Sequence, residues 1–302
     1  MKRLASFLCL AALAAPLFAQ APRAIVKEGK DEVLYLDALA SPKRWSPAEC
    51  TLQISNDIKT GSRPVLHLHI PVDYEGGEKA HPIGWPRMYL SLDRSTESNW
   101  AEFERFEFEM YTKFSRSGLP SGVASLHIYC PDKPVVFYHQ FTDKNTKLNE
   151  WQTLSIPTRD IKNVAEVAKL GFNIAEANYK HGDTLDFYFT GFRLVRSADF
   201  SVASFEIRNP AVFKGQPSLK VQVQVSGPPA EIRRGLPMTL RKGASVIRKE
   251  TLPVKTGLQT LDVAIDELKL EPGDYTLTAF DGDAARAKSA AFKVVETPWE
   301  EK

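Results

Sequence analysis

Two histidines one residue apart, His67 and His69 in VLHLHIPVDY, carry the sharpest chemical signal in the chain. In an extended strand, side chains at i and i+2 share a face and stand about 7 Å apart, so two imidazoles can converge on one ion at about 2.1 Å each. Asp73, Glu75 or His127 are candidates to complete a facial set for a transition metal. The same spacing equally describes two polar positions on the wet face of an ordinary strand. A second signal is the carboxylate pair Glu107 and Glu109. Cleaving a glycosidic bond needs two carboxylates about 5–9 Å apart, yet Arg105 and Lys113 alternate with this pair as they would on a solvated strand face. A third set, His127, Tyr129, His139 and Arg105, has the residue types of a lyase.

These residues must be held by strands. From residue 32 onward, short period-two runs are broken by Gly, Pro, Asn and Asp, which predicts an antiparallel sandwich or barrel. Strands are expected over 32–38, 50–56, 64–72, 88–93, 104–114, 123–130, 135–141, 151–156, 169–175 and 184–195. Only 159–168, RDIKNVAEVA, spaces Ile161, Val164, Val167 and Ala168 as a surface helix would. Alternation assigns the faces. Leu66, Leu68, Ile70 and Val72 turn inward, leaving His67 and His69 outside; Phe106, Phe108, Met110 and Phe114 turn inward, leaving Arg105, Glu107, Glu109 and Tyr111 outside. In 123–130 the inward set is Ala124, Leu126, Ile128 and Cys130, and the outward set is Ser125, His127 and Tyr129.

The outward sets mix flat rings with hydrogen-bonding groups. A surface for sugars needs both, because sugars present apolar ring faces and many hydroxyls. The Gly/Pro-rich loop 73–89, DYEGGEKAHPIGWPRMY, adds Tyr74, His81, Trp85 and Tyr89. The candidate ligand contacts are therefore His67, His69, Tyr74, Trp85, Tyr89, Glu107, Glu109, Tyr111, His127 and Tyr129, while Trp100 and Trp151 read as packing residues. No G-x-S-x-G, histidine-rich helix or phosphate-cradling glycine loop occurs, so esterase, helical zinc-protease and nucleotide chemistry have no support.

The chain opens MKRLASFLCLAALAAPLFAQA, which reads as a signal peptide (1–21) cleaved near Ala19 or Ala21, and hence a secreted or periplasmic protein. Its apolar run is shorter than the ~20 residues a bilayer needs, so it is not read as membrane-spanning. The formal charge of +2 falls to zero when Lys2 and Arg3 leave with the signal, which argues against a nucleic-acid partner. Two cysteines remain, Cys50 and Cys130, and export permits a disulfide between them; it would close a loop of about 80 residues, for which chain entropy gives on the order of 4 kcal/mol. Two free thiols are the alternative. The remaining length suggests two domains, 25–196 and 200–297.

Several segments resemble known families. Gly61, separated by five residues from His67-x-His69, resembles the opening of the first cupin motif, although that motif's glutamate would fall at Asp73 or Tyr74 and the second motif is missing. More broadly, Trp100 to Tyr111, SLHIYC, WQTLSIP, LGFNI and DTLDFYFTGFRL follow one another as in the galactose-binding-domain-like jelly rolls of carbohydrate-binding modules. That resemblance implies a structural calcium between first and last strands. Asp37, Asp183 and Asp186 are the oxygen ligands it would use, with Phe187, Tyr188 and Phe189 standing where family members often carry an acidic pair. Residues 200–297, with KVQVQVSG, LPMTLRKG, LQTLDVAID, GDYTLTAF and KSAAFKVVE, resemble an immunoglobulin-like or fibronectin type III-like sandwich.

The expectation is thus an all-β protein: an N-terminal antiparallel jelly-roll β-sandwich and a smaller C-terminal immunoglobulin-like β-sandwich. The resemblance implies non-catalytic recognition of a polysaccharide or glycoconjugate. The alternatives are a jelly-roll hydrolase or lyase, a cupin-like metal enzyme, and a structural protein with an envelope or cell-surface partner.

Overall fold

The structure, a computed structural model, describes residues 24–296 apart from 37, 38, 40, 41, 56, 62, 77–83 and 132–134. The expected signal peptide, Asp37 and His81 lie outside the described residues. Nearly all regular structure is β, as the period-two runs predict.

Twelve strands precede residue 198: β1 (Val26–Glu28), β2 (Asp31–Tyr35), β3 (Trp45–Ala48), β4 (Thr51–Ile54), β5 (Leu66–Pro71), β6 (Arg87–Ser91), β7 (Arg105–Phe114), β8 (Ala124–Tyr129), β9 (Val135–Phe141), β10 (Trp151–Pro157), β11 (Lys169–Asn173) and β12 (Thr184–Ser197). They form two sheets. A five-stranded sheet runs β3-β6-β11-β8-β9, and a seven-stranded sheet is organised around β12. One edge of β12 pairs with β7, which carries β10 on its far side; the other edge is shared between β5 and β2. This sharing rests on a break at Thr190–Arg193, where Gly191 has φ 65° and the register against β7 shifts. Glycine tolerates that backbone without a Cβ penalty, and the extra residue makes a bulge that reverses which face later side chains take. Hence Phe187 and Phe189 point inward before the bulge, and Phe192 and Leu194 after it.

The inward sets meet between the sheets. Phe172 of β11 lies edge-on to Phe187 and Phe189 of β12, at 5.0 and 4.9 Å, and Phe108 stacks on Phe192 at 5.2 Å. Trp100 is fully buried and stacks on Phe106 at 4.8 Å, as its packing assignment requires. Each such ring contributes about 1.5–3 kcal/mol through burial.

Eight further strands, β13 (Ser201–Ile207), β14 (Ala211–Phe213), β15 (Ser218–Ser226), β16 (Leu236–Lys242), β17 (Ser245–Leu252), β18 (Gly257–Ala264), β19 (Gly273–Ala279) and β20 (Lys288–Val295), make two more sheets, β13-β15-β18 and β14-β20-β19-β16-β17. They enclose a separate core that includes Val221, Val223, Met238, Leu277 and Phe292. Within it the pairing is antiparallel except for β14 with β20.

Two expectations are corrected. Residues 159–168 are not a helix but two single 3-10 turns, Thr158–Asp160 and Val164–Glu166, separated by Asn163 at φ 53°. The disulfide is absent: Cys50 and Cys130 are not joined to each other. Cys50 follows β3 beside Arg87 at one end of β6, where its Sγ donates to the Arg87 carbonyl at 3.3 Å. Cys130 follows Tyr129, which is level with Lys169 and, beyond it, Ser91 at the other end of β6. The two thiols thus sit at opposite ends of the sheet, whereas a disulfide needs Cα atoms within about 7 Å.

Candidate functional site

The strand alternation places the predicted contacts on two faces that point away from each other. On the seven-stranded sheet lie His67, His69, Glu107, Glu109 and Tyr111; on the five-stranded sheet lie Tyr89, His127 and Tyr129, with Trp85 just before β6. Because the sheets face each other through their apolar sides, no single ligand can touch both sets. Tyr74 joins neither: it caps the end of the sandwich, its hydroxyl donating to the Tyr179 carbonyl and its ring tilted against His181.

On the seven-stranded face, Glu107 is 9% exposed and bound by two guanidinium groups, Arg105 Nε at 2.7 Å and Arg193 Nε at 3.0 Å, with Ser155 Oγ donating at 3.3 Å. Burial favours the protonated carboxyl, but the two arginines outweigh it and hold its pKa below the ordinary value. A carboxyl so held is a poor proton donor, and Glu109 is likewise near Arg63 and Arg193, at 3.5 and 3.9 Å. The pair is therefore an ion network rather than an acid and a base. The lyase set does not assemble either. Arg105 is on this sheet and His127 and Tyr129 on the other, while His139 pairs with the inward Leu126 and lies edge-on to buried Phe141 at 4.9 Å.

His67 and His69 do stand outside the core. Register brings Asp186 of β12 level with His69, and its Oδ1 accepts from both rings, from His67 Nε2 at 2.7 Å and His69 Nδ1 at 2.8 Å. Burial raises the Asp186 pKa, but these two hydrogen bonds outweigh it and hold the carboxyl low. Asp73, Glu75 and His127 are elsewhere: Asp73 accepts from the Glu75 N–H in the turn after β5, and His127 is on the other sheet. Asp183 and Asp186 do not share a site, since Asp183 is buried and paired with Arg116 at 2.5 Å.

The five-stranded face carries a different arrangement. Across it, Tyr89, Gly171, His127 and Tyr138 are level on neighbouring strands, and the next level holds Arg87, Asn173, Ser125 and Gln140. Gly171 is required here, because a Cβ would meet Tyr89 Cε1 at 2.8 Å and Tyr129 Cε2 at 3.1 Å. The two tyrosines instead close over the glycine edge to face, 6.1 Å apart, and Lys169 Nζ lies 4.4 Å from each ring centre. Beside them opens a hollow of about 280 Å³ whose lining includes Trp85, Ser125, His127, Tyr138, Gln140 and Asn173 and holds no Asp, Glu, Lys or Arg. Trp85 is 45% and Tyr138 53% exposed.

Two buried polar atoms there lack a hydrogen-bond partner among the described residues, His127 Nε2 and Asn173 Nδ2. The Asn173 carbonyl is taken, accepting from Trp85 Nε1 at 3.0 Å and Ser125 Oγ at 2.7 Å, which aims the unpaired NH₂ elsewhere. The other nitrogen of His127 is bonded to the Tyr129 hydroxyl at 3.1 Å, and burial lowers the ring's pKa, favouring neutral imidazole. Alternation located His127, but Asn173 and Tyr138 were not singled out from the sequence; Asn173 in LGFNI was the available signal, a polar residue ending an apolar strand.

No family model matches the chain, and no curated protein matches its sequence. Among solved structures, similarity is found to a family 11 carbohydrate-binding module from Clostridium thermocellum in complex with a β-1,3-1,4-mixed-linked tetrasaccharide: 13% identity over 54% of this chain and 94% of that one, TM-score 0.35. A β-1,2-glucanase from Parabacteroides distasonis gives 12% identity over 89% of this chain and 37% of that one, TM-score 0.36. A family 28 module specific for non-crystalline cellulose gives 12% identity over 57% and 96%, TM-score 0.35. At such TM-scores these likenesses carry no argument about fold or function.

Proposed function

We propose that this protein binds a neutral glycan on the outer face of its five-stranded sheet, without cleaving it. The observation that carries the reading is the coincidence, in one hollow, of two unpaired buried polar atoms with two exposed aromatic rings. An unmet buried donor or acceptor costs about 1–3 kcal/mol, and a side-chain adjustment that opens His127 Nε2 or Asn173 Nδ2 to a ligand hydroxyl recovers it. Trp85 and Tyr138 supply flat apolar faces for the sugar rings. The hollow lies near the lower end of small-ligand pockets, about 300–1,000 Å³, so it suits one ring of a chain that continues over the rim. Neutrality follows from the lining, and Lys169 is already engaged by two tyrosine rings. The reading is non-catalytic because the lining of this hollow holds no Asp or Glu, whereas most glycosidases flank the scissile bond with two carboxylates. The jelly-roll reading of 25–196, the immunoglobulin-like reading of 200–297, two separate domains and export remain part of this proposal.

The test is calorimetric titration of the full chain with cello-oligosaccharides, mixed-linkage β-glucan, xylan, galactan and, as the acidic control, alginate. We expect a neutral glycan to bind, and Trp85→Ala and His127→Ala each to weaken it at least 10-fold. Failure of every neutral glycan, or affinity unchanged in both variants, overturns the reading.

A further inference from the structure

We propose that His67, His69 and Asp186 form a binding site for one divalent transition-metal ion, zinc foremost, on the outer face of the seven-stranded sheet. The site is on the opposite side of the sandwich from the glycan hollow and does not depend on it.

Three observations support it. Among the described residues, this is the one group of three or more His, Cys, Asp or Glu side chains whose ligand atoms all lie within 4.8 Å of one another. Zinc takes imidazole nitrogen at about 2.0–2.1 Å and carboxylate oxygen at about 2.0–2.2 Å. Two ligands of one ion therefore stand no more than about 4 Å apart, and small side-chain rotations bring this group to that spacing. Moreover, both rings aim at the same oxygen, Asp186 Oδ1, at 2.7 and 2.8 Å. Those bonds need a proton on His67 Nε2 and on His69 Nδ1; an ion held between the three ligand atoms takes their place when each ring carries its proton on the other nitrogen, Nδ1 of His67 and Nε2 of His69.

The second observation is that the ligands are held by rigid strands and fixed from behind. His67 and His69 sit on β5, and Asp186 is level with His69 on β12. The His67 ring lies flat on Tyr188, 4.4 Å between centroids and 8° from parallel. Third, Gln53 of β4 lies level with His67, and its amide reaches the other ring nitrogen, Nδ1, at 3.2 Å. With the amide nitrogen facing the ring, His67 keeps its proton on Nε2 for Asp186. Turned over, the amide oxygen accepts a proton from Nδ1 and leaves the Nε2 lone pair for the ion; the two orientations look alike in shape. Such outer partners of ligating histidines typically change metal affinity 10–100-fold.

Ligand chemistry sets the ion class. Two nitrogens in a set of three suit zinc, copper, nickel or iron, whereas calcium and magnesium take oxygen. Three protein ligands also leave a coordination position open toward solvent, because the His69 side chain is 38% exposed.

The experiment is titration of untagged, chelator-treated full-length protein with Zn²⁺ in competition with a chromophoric chelator, and with Co²⁺ followed by its visible absorption. One saturable equivalent per chain is expected. Asp186→Asn should weaken binding at least 100-fold and the surface change Gln53→Leu 10–100-fold, with circular dichroism unchanged in the latter. Trp85→Ala should leave zinc binding untouched. His67→Ala should weaken binding as much as Asp186→Asn does; if it fails to fold, His69→Ala replaces it, with the same expected loss. Absence of saturable uptake, or uptake unchanged in Asp186→Asn and Gln53→Leu, overturns the proposal.

Discussion

Tyr188 and His67 lie face to face on adjacent strands, their rings 4.4 Å apart and 8° from parallel. Tyr188 also meets Tyr111 edge-on at 5.9 Å, and Lys113 approaches the same ring at 5.7 Å. An aromatic pair of this kind contributes about 0.5–1.5 kcal/mol beyond the area it buries. In a double-mutant cycle combining Tyr188→Leu with His67→Leu, denaturant unfolding should return a coupling energy of that size. Strict additivity of the two substitutions would show that the stack adds nothing.

The Glu107 network predicts a pH dependence of stability. Its folded pKa lies below the ordinary value of 4.5 despite its burial, because Arg105 and Arg193 favour the carboxylate. A depressed folded pKa means that the stabilisation is fully present above the unfolded pKa and is lost as pH falls through the folded one. At pH 7, Glu107→Gln should cost about 1–2 kcal/mol, discounted from the buried-pair range because both arginines are partly exposed. The gap between wild type and variant should then narrow between about pH 5 and pH 3. A gap that stays constant over that range would mean that Glu107 acts through packing alone.

Gly171 tests how tightly the five-stranded face is assembled. In Gly171→Ala, the new methyl meets two tyrosine rings at 2.8 and 3.1 Å and must push them apart. Overpacking of this kind costs about 1–3 kcal/mol. Burial, helped by Tyr89, pushes the Tyr129 hydroxyl up to about 12, so loosening the pair should also let Tyr129 ionise at lower pH in an ultraviolet titration. An alanine variant as stable as wild type, with unchanged tyrosine titration, would refute the close fit.

How much of this was legible in the sequence depends on the range of the interaction. Faces were legible because alternation is local: His67, His69, His127 and Tyr129 stand outside and Leu66, Leu68 and Ile128 inside, as read. Which faces belong together was not, because consecutive strands such as β5 and β6 lie in different sheets. The partner of the histidines was not legible as such either. Asp186 was marked as an oxygen ligand, but only the pairing of β12 with β5, more than a hundred residues away, brings it to two imidazoles. Along β12 the bulge at Gly191 reverses parity, so that Phe192 rather than Arg193 enters the core. The mistaken helix has a simple origin: Ile161, Val164 and Val167 are three residues apart, a period that two 3-10 turns satisfy as well as an α-helix does. Unmet polar atoms such as Asn173 Nδ2 depend on every neighbour's position and leave no trace in residue order.

The cysteines offer the last prediction, and it needs no variant. Cys50 and Cys130 lie at opposite ends of one sheet, so joining them would require dismantling β6 and β8, whose pairing with β11 holds the ends apart. Unfolding midpoints should therefore be the same with and without reductant, and denatured protein that lacks residues 1–21, prepared without reductant, should release two titratable thiols. Reactivity in the folded state should be low for a second reason. Burial raises the Cys50 thiol to about 11, so at pH 8 its thiolate fraction is on the order of one in a thousand. Cys130 is buried under the 162–163 turn, its Sγ 3.4 Å from the Asn163 carbonyl. A thiol reagent at pH 8 should thus modify folded protein far more slowly than denatured protein. Fast labelling of both positions in the folded chain would contradict the packing at both ends of the sheet, and a reductant-dependent midpoint would contradict their separation.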